Sequence, residues 1–261
     1  MATEAQSFLE LYLHSPPAVV GTIAAIFAFI TLWRNHSTDK VSNSIDFISS
    51  INDKDTRELI IEMQRFFAKA NNKSPIHSFK TYVELANKST VQIPEKIAII
   101  TIINEWERCA NGIYYKAYDS NFLYGVYAGT VTRTYFNLLP YLLVRQADHC
   151  RSSIKFSRLA LDWHIKKSKE KHIPVSPRIE KALKHLVKHH KLVYSPEPLR
   201  RFQLMRYNWF EDKDPDLELA KYHEEMTSYL LEINENEGLT AKHLKYAGWD
   251  MSKPMTIGKL H

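Results

Sequence analysis

Between Glu10 and Arg34 the chain runs for 23 residues without an aspartate, glutamate, lysine or arginine. The core of that run, Ala18 to Trp33, reads AVVGTIAAIFAFITLW. As one helix the whole run would reach ~34 Å, against a bilayer hydrocarbon core of about 30 Å. Pro16 and Pro17 suit a first helical turn, where a missing amide donor costs little. Trp33 stands where an interfacial aromatic belongs, and Arg34 and Lys40 follow it. A cleaved signal fits poorly, because MATEAQSFLE holds two glutamates and no basic residue. A buried core helix also fits poorly, because the run is apolar all round. The sequence therefore predicts a transmembrane helix over 16–34. Lysine and arginine follow the run and none precedes it, which places 1–15 outside and the bulk of the chain in the cytoplasm, on an inner-membrane anchor.

Within the run, Ala18, Gly21, Ala25 and Ala28 recur at steps of three, four and three and share one helix face. In lipid, helices associate where small residues let backbones approach closely. The stripe predicts a homo-oligomer packed through this helix in the bilayer.

The remaining residues are enough for a cytoplasmic helical domain, 35–165, and a charged extension, 166–261. Apolar residues at Val41, Ile45, Ile48 and Ile51 carry the helix onward from the anchor. The cluster NDKD (52–55) breaks it, and Leu59 to Phe67 mark a second amphipathic helix ending near Asn71. Pro94 and Glu95 open a third. The β-branched run IAIITII (97–103) belongs to it, because the apolar pattern continues through Ile113 and helices outlast strands. Asp119 is placed to cap an aromatic-rich helix containing Pro140, and further helices are predicted over 151–171, 177–192 and 215–236. The fold class is all-α. Seven glycines, no GxxxxGK[ST] and no GxGxxG leave nucleotide-binding motifs out of evidence, and no cofactor is implied. Two cysteines, Cys109 and Cys150, are too few for a disulfide framework.

Charge is unevenly spread. Lys166 to Arg206 holds twelve basic against three acidic residues, and Glu211 to Glu237 holds ten acidic against two basic. Lys181, Lys184, Lys188, Arg200, Arg201 and Arg206 define a candidate basic surface for anionic lipid, RNA phosphate or a protein partner, with Tyr194, Phe202, Tyr207 and Trp209 available to stack on bases. The competing reading pairs the basic block with the acidic block beside it.

The segment NEWERCANGIYYKAYD (104–119), a tyrosine-rich helix, and YFNLLPYLLVRQ (135–146) resemble a bacterial family known as domain of unknown function 4760. The matching positions are Asn104, Glu107, Ala110, Gly112 and Ile113, then Pro140 and Arg145. The resemblance covers roughly residues 17–165. It implies an N-terminal membrane helix joined to a cytoplasmic helical domain, with Glu107 and Arg145 as either a functional or a structural ion pair. The layout is also similar to the membrane accessory protein found beside some type VI CRISPR effectors, a ring-shaped pore with a domain akin to nucleotide-binding HEPN folds. That implies a role in antiphage defence.

Three side-chain patterns bear on chemistry. HEPN ribonucleases set an arginine and a histidine four to six residues apart on one helix, for phosphate charge and acid/base work. Arg158 and His164, in RLALDWH, are candidates, and so are Arg178 and His185, in RIEKALKH. Each arginine is followed by an apolar residue where active sites carry a polar one. His185 and His189 could offer two imidazoles to a metal, but neighbouring lysines oppose a cation, so no metal site is assigned. The expected function is a non-enzymatic, membrane-anchored oligomeric effector that perturbs or permeabilises the membrane. A membrane-tethered HEPN-like ribonuclease and a tethering scaffold are the alternatives.

Overall fold

The computed structural model describes residues 16–71, 81–82, 84–86, 94–148, 153–194 and 215–235. Seven helices account for most of them: α1 (Pro16–Ile51), α2 (Lys54–Asn71), α3 (Pro94–Tyr114), α4 (Ser120–Asp148), α5 (Ile154–Glu170), α6 (Pro177–Tyr194) and α7 (Pro215–Ile233). Among the described residues there is no strand, so the chain is all-α.

Local signals fix the helix ends. Pro94, Pro177 and Pro215 occupy first helical positions, where φ is pre-set and no amide donor is wasted. The Asp119 carboxylate accepts the Phe122 amide at 2.8 Å and caps α4. IAIITII lies inside α3, with Ala98, Ile99, Ile102 and Ile103 buried, so length decides over β-branching as expected. Pro140 is buried within α4, which continues past it to Asp148.

α2 packs along α3, α5 lies against α3, α4 and α6, and α7 covers α6 and reaches α4. The core is aromatic: Trp106, Trp163, Tyr135, Tyr141, Tyr222 and Phe156 are fully buried. The Tyr135 and Tyr222 hydroxyls meet at 3.0 Å, beside a Gln146 Nε2 to Ser157 Oγ bond of 3.1 Å. A polar pair this deep is tolerable only because each group has a partner. α4 is a core helix of this bundle, with Leu123, Val131, Leu138, Leu139 and Leu142 buried along it.

α1 is one continuous helix of 36 residues, about 54 Å long. Only its last turns join the bundle, where Phe47 and Ile51 are buried. Residues 24–31 are exposed on every side, and Ile26, Phe27, Phe29 and Ile30 are 49–71% exposed. Among the described residues no helix is long and apolar enough to cross a membrane. Much of the run predicted to span, including the side chains at 16–23 and 32–33, lies outside what is described. The same holds for Ala18 and Gly21 of the small-residue stripe; Ala25 and Ala28 lie in the exposed stretch.

Candidate functional site

The joint between α1 and the bundle is built from the motif segment. The Asn43 side chain donates to the Ala117 carbonyl at 3.2 Å. Ser44, fully buried, accepts the Asp119 amide at 2.9 Å on its hydroxyl. The Phe47 ring lies 5.4 Å from Tyr118 and 6.3 Å from Trp106. The Arg108 guanidinium sits over the Phe47 ring at 5.2 Å and donates to Ser50 at 2.6 Å. Gly112 explains why this turn closes. Its carbonyl accepts the Ala117 and Tyr118 amides at 2.7 and 3.0 Å, and a Cβ on it would fall 2.2 Å from the Tyr118 ring. The ring can press on the helix end only because position 112 has no side chain.

Glu107 makes the second node. α5 begins after Ser153, whose backbone is left-handed (φ 57°) and whose side chain provides no cap. The Glu107 carboxylate reaches across from α3 instead, accepting the Phe156 amide at 2.7 Å and the Lys155 amide at 3.4 Å. It satisfies two of the orphan donors at a helix start and opposes the positive end of the dipole. Burial pushes its carboxyl above the usual carboxylate range, against the pull of those amides and of the Lys155 ammonium. Lys155 Nζ donates to Asn111 and lies over the Tyr115 ring. Arg158, one turn on, stacks over Tyr114 at 4.2 Å, and His190 of α6 meets the same tyrosine ring at 5.2 Å. Burial, with Arg158, Lys155 and His189 nearby, lowers His190 to about 4. Sequence spacing did not reveal this cluster, because α3, α5 and α6 each supply part of it. The repeat Glu107, Asn111, Tyr115 at one helical face was the available signal.

The ion pair of Glu107 with Arg145 is not formed, in either its functional or its structural version. Glu107 is taken up by α5, and Arg145 in the last turn of α4 acts on Lys96, whose pKa is lowered by burial and then by that charge. Asn104 is exposed, Ala110 is fully buried and Ile113 packs on the core. Arg158 and His164 are not brought together within the chain: Arg158 faces Tyr114 of α3, while the His164 ring stands 4.8 Å from Phe136 of α4. Arg178 and His185 are each held by carboxylates, as described next. His185, His189 and His190 turn to Glu218, the Pro215 carbonyl and Tyr114 respectively, so they share no common point for a metal. Among the described residues no group of three or more His, Cys, Asp or Glu could hold one.

The two charged blocks pair. Arg178 donates to Glu232 at 2.9 Å and to Glu225 at 3.4 Å, and Lys181 lies 3.8 Å from Glu225. Lower on the helix pair, buried Glu218 lies 2.6 Å from His185 Nδ1 and 3.8 Å from both Lys188 and Lys221. Positions 178, 181, 185 and 188 follow one face of α6, and α7 answers each of them. Lys184 is exposed. Arg200, Arg201 and Arg206, with Phe202, Tyr207, Trp209 and the Tyr194 side chain, lie outside the described residues.

The fold and its two nodes define an all-helical protein with a long leading helix locked onto a bundle through the end of α3 and the turn that follows it. A family model, domain of unknown function (DUF4760), matches residues 18–163, and the chain belongs to that family. The match takes in the apolar part of α1 and both nodes and ends within α5. α6 and α7 lie beyond it. No curated protein and no solved structure matches the chain.

Proposed function

We propose that this chain is a membrane-anchored, self-associating helical protein that acts on the inner membrane, as a non-enzymatic effector. The observation that carries the reading is α1: a 36-residue helix fixed to the bundle at one end, with Ile26, Phe27, Phe29 and Ile30 exposed around the other. Ile26, Phe27, Phe29 and Ile30 fill an arc of about 160° and Ala24, Ala25, Ala28 and Thr31 the rest, so this exposed stretch has no charged flank to turn to water, whereas lipid surrounds a helix completely. The charge-free run to which they belong matches a bilayer in length, and basic residues follow it. Ala25 and Ala28 continue the small-residue face suited to packing against copies of itself. Continuity of α1 from Pro16 to Ile51 supports mechanical coupling, since no loop separates the apolar segment from the bundle. The further step, that the assembly permeabilises the membrane in antiphage defence, draws only on the resemblance in layout to the membrane accessory protein of type VI CRISPR systems.

The test is membrane depolarisation in cells expressing the full chain, a version starting at Asn35, and His164→Ala. Depolarisation that needs residues before Asn35 and survives His164→Ala supports the reading. Toxicity abolished by His164→Ala without depolarisation would transfer the assignment to a HEPN-like ribonuclease. An inert chain that still binds partners would leave a tethering scaffold.

A further inference from the structure

The end of the bundle from which α1 rises has a chemistry of its own. Ser44 is level with Asp119 at the start of α4, and Asn52 is level with Tyr127, so α1 runs beside α4 in the same direction. The part of α1 before Asn43 therefore projects beyond the α3–α4 turn. α5 runs the opposite way along α4, since Ser157 meets Gln146 and Glu170 meets Tyr124. Its last turns, and the connection to α6, finish at that same end, where Lys166 Nζ lies 3.3 Å from Asn121 Oδ1.

Lys116, Lys166, Lys169, Lys171 and His172 are exposed here. Ile173 stands out among them at 54% exposure. Of the carboxylates here, Glu170 accepts the Tyr124 hydroxyl at 2.6 Å and Asp119 caps α4, while Asp39 and Asp46 of α1 are exposed beside the joint. Asp162 is exposed farther down α5. Arg178, Lys181, His185 and Lys188 of α6, by contrast, face the carboxylates of α7.

We propose that this end of the bundle, and not the basic face of α6, is a contact surface for an anionic lipid headgroup layer. The proposal rests on the anchoring of α1 given above, which decides which way this end faces. Arg34, the first charge after the apolar run, and Ser44, at the joint, are ten residues or ~15 Å apart. Headgroups fill roughly 5–8 Å beyond the hydrocarbon edge. The gap that remains is about one Debye length at physiological salt, within reach of lysine side chains. Each lysine near such a surface gains about fivefold in binding. Ile173 supplies an apolar tip that settles at a headgroup boundary.

The experiment reconstitutes the full chain into vesicles of phosphatidylcholine alone or mixed with phosphatidylglycerol, and follows amide hydrogen exchange over residues 166–176. Carbonate extraction of the same vesicles reports on the anchor. The expected result is exchange slowed about fivefold by phosphatidylglycerol. The slowing is lost in high salt and in the combined Lys166→Glu, Lys169→Glu, Lys171→Glu variant. Equal exchange in the two vesicles, with the protein resisting carbonate, overturns this proposal and leaves the anchor standing. Slowing that persists in the triple variant also overturns it. Release by carbonate overturns the anchor, and the placement of this surface with it.

Discussion

The Glu107 carboxylate on α3 accepts the Phe156 amide on α5 at 2.7 Å, closing a helix start that its own Ser153 leaves uncapped. Glu107 thus holds two helices together at the point where α5 turns into the core. Glu107→Ala is expected to lower stability by about 1–3 kcal/mol, the cost of orphaned donors. The urea midpoint measures it. Because Arg145 is not its partner, Glu107→Ala and Arg145→Ala should add within ~0.5 kcal/mol in a double-mutant cycle.

Gly112 closes the turn that holds α1 on the bundle. A methyl group there meets the Tyr118 ring, which is itself held against Phe47. Gly112→Ala is expected to cost ~1–3 kcal/mol by overpacking, and Tyr118→Ala should make the added methyl harmless. Thermal melts of the two single variants and the double variant check this, and a Gly112→Ala penalty unchanged in the Tyr118→Ala background would contradict it.

The helical plan was open to reading in the sequence because its punctuation is local. Pro94, Asp119, Pro177 and Pro215 each act on the turn beside them, and the order of helices follows from them. The pairing of basic and acidic blocks was legible too, since a ladder of opposite charge needs only two adjacent helices. The Glu107 node was not. Its partners are backbone amides 48 and 49 positions away, and a backbone amide has no letter in the sequence. Pairing Glu107 with Arg145 assumed that a charge seeks a charge, whereas a helix start offered the carboxylate a nearer partner. Arg158 and His164 are six residues, or ~600° of helix rotation, apart and lie on different faces of α5.

Stability should fall in mild acid. Burial holds His223 at about 4, and burial with neighbouring cations holds His190 at about 4. Both folded-state values lie below the unfolded value of ~6.5, so the unfolded chain binds more protons. The stability these neutral imidazoles contribute is full above ~6.5 and is lost as pH falls toward 4. His223→Gln should flatten the decline in urea midpoint between neutral pH and pH 5. An unchanged slope would rule out His223 as its source.

The charge ladder makes the α6–α7 pairing sensitive to one carboxylate. Glu218 is buried against His185, with Lys188 and Lys221 near it. Glu218→Gln is expected to speed amide exchange in α7 several-fold while leaving α3 and α4 unaffected. Strong salt should loosen the same helix and hasten proteolysis after residue 206, because screening weakens the exposed rungs at Arg178 and Lys181. Identical cleavage at low and high salt would count against the ladder.

Anchoring of the chain in lipid by α1, with copies gathered there, is the core of the proposed function. Light scattering of the detergent-solubilised full chain, beside a version starting at Asn35, tests it most directly. A large closed oligomer that collapses when the residues before Asn35 are removed is the result expected. A monomer in both preparations would contradict it.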